Sequence, residues 1–413
     1  RYPLVTGVQT CALPILLFMT LTREIRPGVR WVGAIDWDRR LFDALIPLPE
    51  GTSYNSYLIQ GSEKTALIDA VDESMTDVLL GNLSALGIER MDYIIVQHAE
   101  QDHTGSLKRL LGLYPDAKVL GSAKCLDLLM SFGLAGKDRV QEIKDGEKIS
   151  LGDRSLQFIS APWVHWPDTI FSYLSEERIL FTCDFLGSHL ASSDLFAGDE
   201  AAVYRAAKRY YAEIMMPFRQ NINRHLARIA DLPLDIIAPS HGPLYDSPEF
   251  ILEAYRDWAS DRVKNQVVLP YVSMHGSTRI MVSYLVDALI SRGVDVRQFD
   301  LTSSDIGELA ESLVDAATVV IGTPTILAGA HPLALYAAIL ANALRPKTKY
   351  ASIIGSFGWG GKMLEQITVA LPNLKLQFFD PVVAKGRPKE ADFLALDRLA
   401  DEIAAKHREM KID

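Results

Sequence analysis

Tyr93-Ile94-Ile95-Val96-Gln97-His98-Ala99-Glu100-Gln101-Asp102-His103 is the stretch on which the reading of this chain turns. Its first four residues form an unbroken apolar run rich in β-branched side chains, the pattern of a strand buried on both faces. Thr104-Gly105-Ser106-Leu107-Lys108-Arg109-Leu110-Leu111 follows and reads as the start of a helix. Between the two, His98, Glu100, Asp102 and His103 place four metal-ligand types in the turn where a strand hands over to a helix. Ligands leaving such a turn point several ways, so one hexapeptide could serve two metals. By itself, a His-x-Glu-x-Asp-His run could equally be a solvated polar loop.

Three further ligand types recur downstream, each in a strand-then-loop setting. His165 lies in Ala161-Pro162-Trp163-Val164-His165-Trp166-Pro167-Asp168, Asp184 follows Arg178-Ile179-Leu180-Phe181-Thr182-Cys183, and His241 follows Ile236-Ile237-Ala238-Pro239-Ser240. The set becomes four histidines and three carboxylates, enough for two four- or five-coordinate metals sharing one bridging carboxylate. On these residues the chain resembles the metallo-β-lactamase-like domain of the flavodiiron proteins (A-type flavoproteins). Hydrolases of that fold have His where this chain has Glu100, and they usually hold zinc. A carboxylate in place of an imidazole hardens the site and adds negative charge, which favours iron. Glu100, Asp102 and Asp184 bring three negative charges against the four positives of two ferrous ions. That near-neutral sum suits a partly buried site.

The resemblance implies roles by position. One non-haem iron would take His98, Glu100 and His165, the other Asp102, His103 and His241, with Asp184 bridging; these seven would be the catalytic residues. His189 would be a pocket group rather than a ligand, and Asp168 a carboxylate that orients one. The similarity extends to Gly33-Ala34-Ile35-Asp36-Trp37-Asp38, to Gly51 through Ile59, and to Asp184-Phe185-Leu186-Gly187-Ser188-His189. In the last segment the family more often has Ala-Phe and Gln where this chain has Phe185-Leu186 and Ser188. His225, His331 and His407 have no ligand-type neighbours in sequence and read as surface residues, whereas Trp163 and Trp166 read as packing.

At 413 residues the chain exceeds what one core usually supports, so two domains are expected. Apolar content of 48% and charged content of 23% are those of an ordinary globular enzyme. A net charge of −10 argues against nucleic acid or an anionic membrane as partner. Cys11, Cys125 and Cys183 have no paired spacing, which excludes a disulfide framework and thiolate-held clusters and points to a reducing, cytoplasmic compartment. Arg1 to Phe18 looks like translated sequencing adapter ahead of a start at Met19. It has neither the basic n-region of a signal peptide nor the length of a membrane span.

From Val29 short strands come at close spacing. Val29–Ala34 alternates, and Tyr57-Leu58-Ile59 and Ala66-Leu67-Ile68-Asp69 flank a turn at Gly61-Ser62-Glu63-Lys64. Helical periodicity covers Glu73 to Leu86, and a second helix Ala123 to Phe132. A meander runs through Lys148-Ile149, Leu156–Ile159 and Phe171–Leu174. Strands in runs with helices outside predict an αβ/βα sandwich over 19–264.

From Lys264-Asn265 the pattern changes to alternating strand and helix over 265–413. Strands are predicted at Val267–Val272, Val296–Phe299, Thr318–Ile321, Tyr350–Ile354 and Leu374–Phe379, giving a doubly wound parallel sheet. The chain is thus α/β and α+β in two domains. Pro270 inside the first of these strands suggests a bulge or an edge. Three loops leave the strand ends. Ser273-Met274-His275-Gly276-Ser277-Thr278 is rich in hydroxyls at a helix start and suits a phosphate monoester. Thr323-Pro324-Thr325-Ile326-Leu327-Ala328-Gly329 follows the third strand. Gly355-Ser356-Phe357-Gly358-Trp359-Gly360-Gly361 offers backbone donors and aromatics for a flat ring. This half is similar to flavodoxin and its FMN site, while phosphate-loop and dinucleotide fingerprints are absent from the sequence.

FMN and a di-iron centre on one chain resemble an electron-fed reductase of a small gas, taking O2 to water or NO to N2O. The alternative is a zinc metallo-hydrolase with a regulatory flavodoxin-like domain, against which Glu100 speaks; a degenerate electron-transfer module is disfavoured by the seven filled ligand positions. The electron donor is expected to be a separate rubredoxin-like protein, flavin reductase or reduced cofactor. The resemblance further implies a head-to-tail homodimer, which could pair again into a dimer of dimers.

Overall fold

A computed structural model describes residues 21–412. The segment read as adapter, Cys11 and Met19 lie outside the described residues.

The apolar run at Tyr93 is buried on both faces because its sheet is covered on both sides, the condition under which strands lose their alternation of polarity. Ile95 points into the layer between two sheets, whereas Ile94 and Val96 point at helices. The same alternation sorts Tyr57 and Ile59 from Leu58, and Ala66 and Ile68 from Leu67. The first sheet has the order Arg23–Arg26, Val29–Trp31, Tyr57–Gln60, Thr65–Ile68, Tyr93–Ile95, Lys118–Gly121, Val140–Glu142. The second runs Lys148–Ser150, Ser155–Ser160, Ile170–Leu174, Ile179–Cys183, Ile236–Pro239. Helices Thr76–Ala85, Leu107–Leu113 and Ala123–Ser131 cover the outside of the first; Glu200–Tyr210, Arg219–Ile229 and Pro248–Trp258 cover the second. This is the expected αβ/βα sandwich.

The third sheet is the doubly wound one, ordered Asp295–Asp300, Lys264–Tyr271, Ala316–Ile326, Tyr350–Phe357, Gln377–Phe378. All four neighbouring pairs are parallel, and in chain order the strands read 2-1-3-4-5. Helices Ser277–Ile290 and Glu390–Glu409 pack on one face and Ile306–Leu313, Pro332–Leu344 and Met363–Val369 on the other.

Several expectations need correction. Val29–Ala34 is not one strand: pairing breaks after Trp31, and Ala34–Asp36 pairs instead with Thr52–Tyr54. The predicted strand Leu374–Phe379 shrinks to Gln377–Phe378, and Val382–Lys385 continues the pairing along Tyr350–Phe357. Pro270 sits at neither an edge nor a bulge; its strand is interior, and the irregular register lies at Lys264–Val267. Thr323–Ile326 belongs to the third strand rather than to a loop, with the turn confined to Leu327 and Ala328 at positive φ. No helix among the described residues is long and apolar enough to cross a membrane.

Candidate metal centre and flavin loops

The ligand-bearing turns meet because their strands end at one edge of the sandwich. Strands Thr65–Ile68 and Tyr93–Ile95 are parallel neighbours in one sheet, and Ile179–Cys183 and Ile236–Pro239 are parallel neighbours in the other. Residues just past those ends, Asp69, His98–His103, Asp184 and His241, therefore converge where the sheets face each other. His165 joins them from the connection between Ser155–Ser160 and Ile170–Leu174.

Six of the seven predicted ligands are buried, and His165 stays partly open to solvent. They form two groups. In the first, His98 Nε2 and His165 Nε2 lie 3.0 and 3.2 Å from Glu100 Oε2. In the second, His241 Nε2 lies 3.1 Å from Asp102 Oδ2, and His103 Nε2 lies 3.6 Å from Asp102 Oδ1. Asp184 is shared, one oxygen to each group: Oδ1 is 3.1 and 3.3 Å from His103 and His241, while Oδ2 is 3.8 and 3.7 Å from His98 and His165.

The inward nitrogens are selected by what holds the outward ones. His98 Nδ1 faces Asp168 Oδ1 at 3.2 Å, and the same carboxylate accepts from the Ala99 N–H at 2.8 Å. His103 Nδ1 faces Asp69 Oδ2 at 3.2 Å, and His241 Nδ1 donates to the Ser53 carbonyl at 2.7 Å. A carbonyl can only accept, so His241 keeps its proton on Nδ1 and turns Nε2 inward, the arrangement by which outer partners orient metal ligands.

The donor set fits cations. Metal bonds of about 2.0–2.2 Å at tetrahedral to octahedral angles separate neighbouring ligand atoms by about 3–3.6 Å, close to the spacings above. Asp102 Oδ1 and Oδ2, His103 Nε2 and Asp184 Oδ1 are buried without a well-formed hydrogen bond among the described residues. Burial alone would push the Glu100 carboxyl up, but hydrogen bonds from His165 and His98 bring it down to about 2. Burial works to lower the His98 imidazole, yet Asp168 and Glu100 raise it to about 10; Asp102 and Asp184 raise His241 to about 9. The carboxylates are thus held ionised, and cations entering here must displace protons from imidazoles.

Sequence reasoning missed Asp69. Like Asp184 it follows directly on a buried strand, and that position was the available signal. It holds His103, accepts from the Gln97 N–H at 2.7 Å and faces the Ser240 hydroxyl at 3.2 Å. Also missed were Phe42, whose ring packs on His189 and His241, and Tyr210 on the opposite side. His189 bonds Thr52 Oγ1 through Nδ1 at 2.9 Å and stands outside both ligand groups. Burial depresses its pKa well below the ordinary value, so it is a neutral wall of the pocket. His225 and His407 are not surface residues. His225 bonds the Pro162 carbonyl at 3.0 Å, and His407 lies between Thr318 and Asn265. His331 caps the helix Pro332–Leu344. Trp163 is exposed and stacks on Phe218, while Trp166 stands edge-on to His98.

The three candidate flavin loops gather at the carboxyl ends of the three central strands of the third sheet, where the strand order reverses. Gly276 starts helix Ser277–Ile290 at φ +87°, and a Cβ there would meet open space. Thr278 Oγ1 and Ser356 Oγ are 3.1 Å apart and tie the first loop to the third. Met274, Leu327 and Trp359 stand exposed around this rim. A helix start flanked by hydroxyls, under exposed apolar side chains, suits a flat ring with an anionic tail.

The chain is similar to known proteins in both sequence and fold. Residues 52–242 match a protein-family profile described as ODP family beta lactamase. The chain is 38% identical over 392 residues to a nitric oxide reductase of Moorella thermoacetica, covering 92% of this chain and 98% of that one. Rubredoxin oxygen:oxidoreductase of Desulfovibrio gigas superposes with a TM-score of 0.91 at 30% identity, over 94% of this chain and 99% of the other. The flavodiiron protein of Giardia intestinalis does so at 0.87 and 27%, over 95% and 99%.

Proposed function

The chain belongs to the flavodiiron proteins, and on that premise we propose that it reduces O2 to water, NO to N2O, or both, at two irons supplied with electrons through FMN. The observation that carries the reading is Asp184, whose two oxygens each serve a separate group of nitrogen and oxygen donors. His98, Glu100 and His165 would hold one iron, Asp102, His103 and His241 the other, with Asp184 shared. Bound there, two irons would bind the gas and pass it the electrons that reduce it.

What the chain itself contributes is orientation, charge and exclusion of water. Asp168, Asp69 and the Ser53 carbonyl fix three imidazoles with Nε2 inward. Glu100, Asp102 and Asp184 balance most of the cationic charge. Phe42, neutral His189 and Tyr210 wall the second group with ring faces and edges, which keeps the pocket poor in water and open to an apolar gas. His165 marks the more exposed side.

The FMN-binding residues in this reading are Ser273–Thr278 for the phosphate, with Thr323–Gly329 and Ser356–Gly360 around the ring. A separate protein or reduced cofactor delivers the electrons. Both rims carry exposed apolar side chains: Met274, Leu327 and Trp359 at the flavin loops; Trp37, Leu41, Leu45 and Trp163 near the metal-site loops. Patches of this kind favour coverage by a partner, and a head-to-tail homodimer would set the flavin of one chain beside the irons of the other.

Anaerobically reconstituted protein, assayed with O2 and with NO side by side, tests the function. Two irons and one FMN per chain with consumption of either gas are expected; zinc content with hydrolase activity would overturn the reading. Mixed dimers test the pairing. His103→Ala should lose an iron, and Gly276→Glu should repel the FMN phosphate while forcing a side chain into a left-handed backbone position. Each homodimer should be inactive and the mixture should regain gas reduction. Subunit exchange without regained activity would place electron transfer within one chain.

A further inference from the structure

Beside the candidate metal centre lies a cluster of oxidisable rings whose redox chemistry the reaction above does not use. Helix Glu200–Tyr210 runs into a π-helical turn, Tyr211–Met215, and the neighbouring rings of Tyr210 and Tyr211 face different ways. Tyr210 packs edge-on to His189 at 4.8 Å between centroids and lies 6.1 Å from His241, a residue of the second ligand group. Tyr211 lies 5.3 Å from Tyr255 and 5.6 Å from Trp258, and Tyr255 lies 5.3 Å from Trp258. Trp258 in turn lies 5.2 Å from Tyr204, and its indole Nε1–H donates to the Tyr204 hydroxyl at 3.1 Å. Tyr210, Tyr211, Tyr255 and Trp258 are fully buried; Tyr204 reaches partway to the surface.

We propose that this row of rings is an escape path for oxidising equivalents, running from the second ligand group through Tyr210, Tyr211 and Tyr255 to Trp258 and Tyr204. The inference rests on the proposed reduction of O2. The oxidant is a di-iron centre that has met O2 before the flavin has delivered the electrons that reduction to water requires. One electron leaves the Trp258 indole and passes along the tyrosine rings to the metal centre, which is reduced by one electron. The indole Nε1 proton passes to the Tyr204 oxygen and on to water, leaving a neutral tryptophanyl radical.

Hydrogen bonding gives the path its direction. The Tyr211 and Tyr255 hydroxyls make no well-formed hydrogen bond among the described residues, so an oxidised phenol there has no acceptor for its proton. Burial keeps both phenols protonated. Only at Trp258 does the ring's N–H already point at an oxygen with an outward route. Oxidation therefore comes to rest at Trp258, beside the partly exposed Tyr204, instead of on the imidazoles that would hold the irons. π-helical turns concentrate at functional sites, and here one separates the ring facing the metals from the ring facing the path.

The test uses iron-loaded, FMN-bound protein given only enough reductant to make the irons ferrous, exposed to O2 and frozen for electron paramagnetic resonance. Wild type should show an organic radical with an indole component, and peptide mapping should find oxygen added at Trp258 and Tyr204. Trp258→Phe should remove the indole component and the Tyr204 product, and Tyr210→Phe should abolish the organic radical, with iron and flavin content retained in both. Phenylalanine keeps an aromatic ring at each position and cannot be oxidised in this way, so a purely structural cluster would give the same spectra in all three proteins. That result, or O2 consumption by wild type without an organic radical, overturns the path alone. Iron-loaded protein that consumes no O2 overturns the oxygen-reduction part of the proposed function, and the path with it.

Discussion

In the proposed centre, the choice of metal turns on Glu100. It gives one oxygen to two imidazoles at 3.0 and 3.2 Å, and is held ionised by them. Replacing it by His would soften the donor set and remove a negative charge, so Glu100→His should shift the bound metal from iron toward zinc. Metal content of protein grown with both metals measures this; an unchanged iron-to-zinc ratio would mean that the remaining six ligands decide. Asp69 acts one step further out, behind His103. Loss of such an outer partner typically weakens metal affinity by about 10–100-fold. Asp69→Ala should show that weakening by competitive chelation, with flavin content unaffected.

At the scale of the element, the last helix, Glu390–Glu409, is fixed to the third sheet by apolar packing and by His407. Its Nδ1 donates to Asn265 Oδ1 at 2.9 Å, which leaves Nε2 of the neutral ring to accept from the Thr318 hydroxyl at 2.7 Å. Burial lowers its pKa to about 4, below the ordinary value near 6.5. A depressed folded-state pKa means that, as pH falls below about 6.5, the unfolded chain takes up a proton that the folded one refuses. Stability should therefore fall between about pH 6.5 and 4 by at most about 3 kcal/mol from this residue, and level off below. His407→Gln keeps a donor and an acceptor and removes the titration. Thermal melts across that range should lose part of their slope in the variant; identical slopes would show that His407 is not the titrating group.

Across the whole molecule, buried charge joins the sandwich to the doubly wound sheet. Asp315 Oδ2 accepts from Lys208 at 2.9 Å and from Lys264 at 2.8 Å. Buried Lys347, lowered to about 8 by desolvation, donates to the carbonyls of Asp257 and Trp258 at 3.3 Å. Arg209 adds a two-pronged pair with Asp305 at 2.8 and 2.9 Å. Asp315→Asn would leave Lys208 and Lys347 without their counter-charge, a loss of about 3–5 kcal/mol when one partner of a buried pair is removed. Calorimetry should show a lower main transition that separates into two as the halves uncouple. A single transition at the wild-type temperature would show that apolar contact alone joins them.

The layered architecture was legible in the sequence by itself, and so were the seven candidate ligands that the structure brings together. An apolar run such as Tyr93–Val96 and the polar turn after it are local patterns, and a buried strand followed by His, Asp or Glu places that residue at a sheet edge whatever lies elsewhere. The start of the first candidate flavin loop, after Tyr271, was legible for the same reason, whereas the strands before the other two run on to Ile326 and Phe357. Tertiary structure alone decided how Asp184 divides its oxygens, that Asp69 stands behind His103, and that His225 and His407 are buried. Burial of a single side chain depends on what the rest of the chain lays over it. His407 finds its partner Asn265 at a separation of 142 residues, a pairing that no periodicity along the chain encodes. The fifth strand broke into Gln377–Phe378 and Val382–Lys385 for a related reason. Its extent was set by which residues of Tyr350–Phe357 remained to be paired, and that is a property of the assembled sheet.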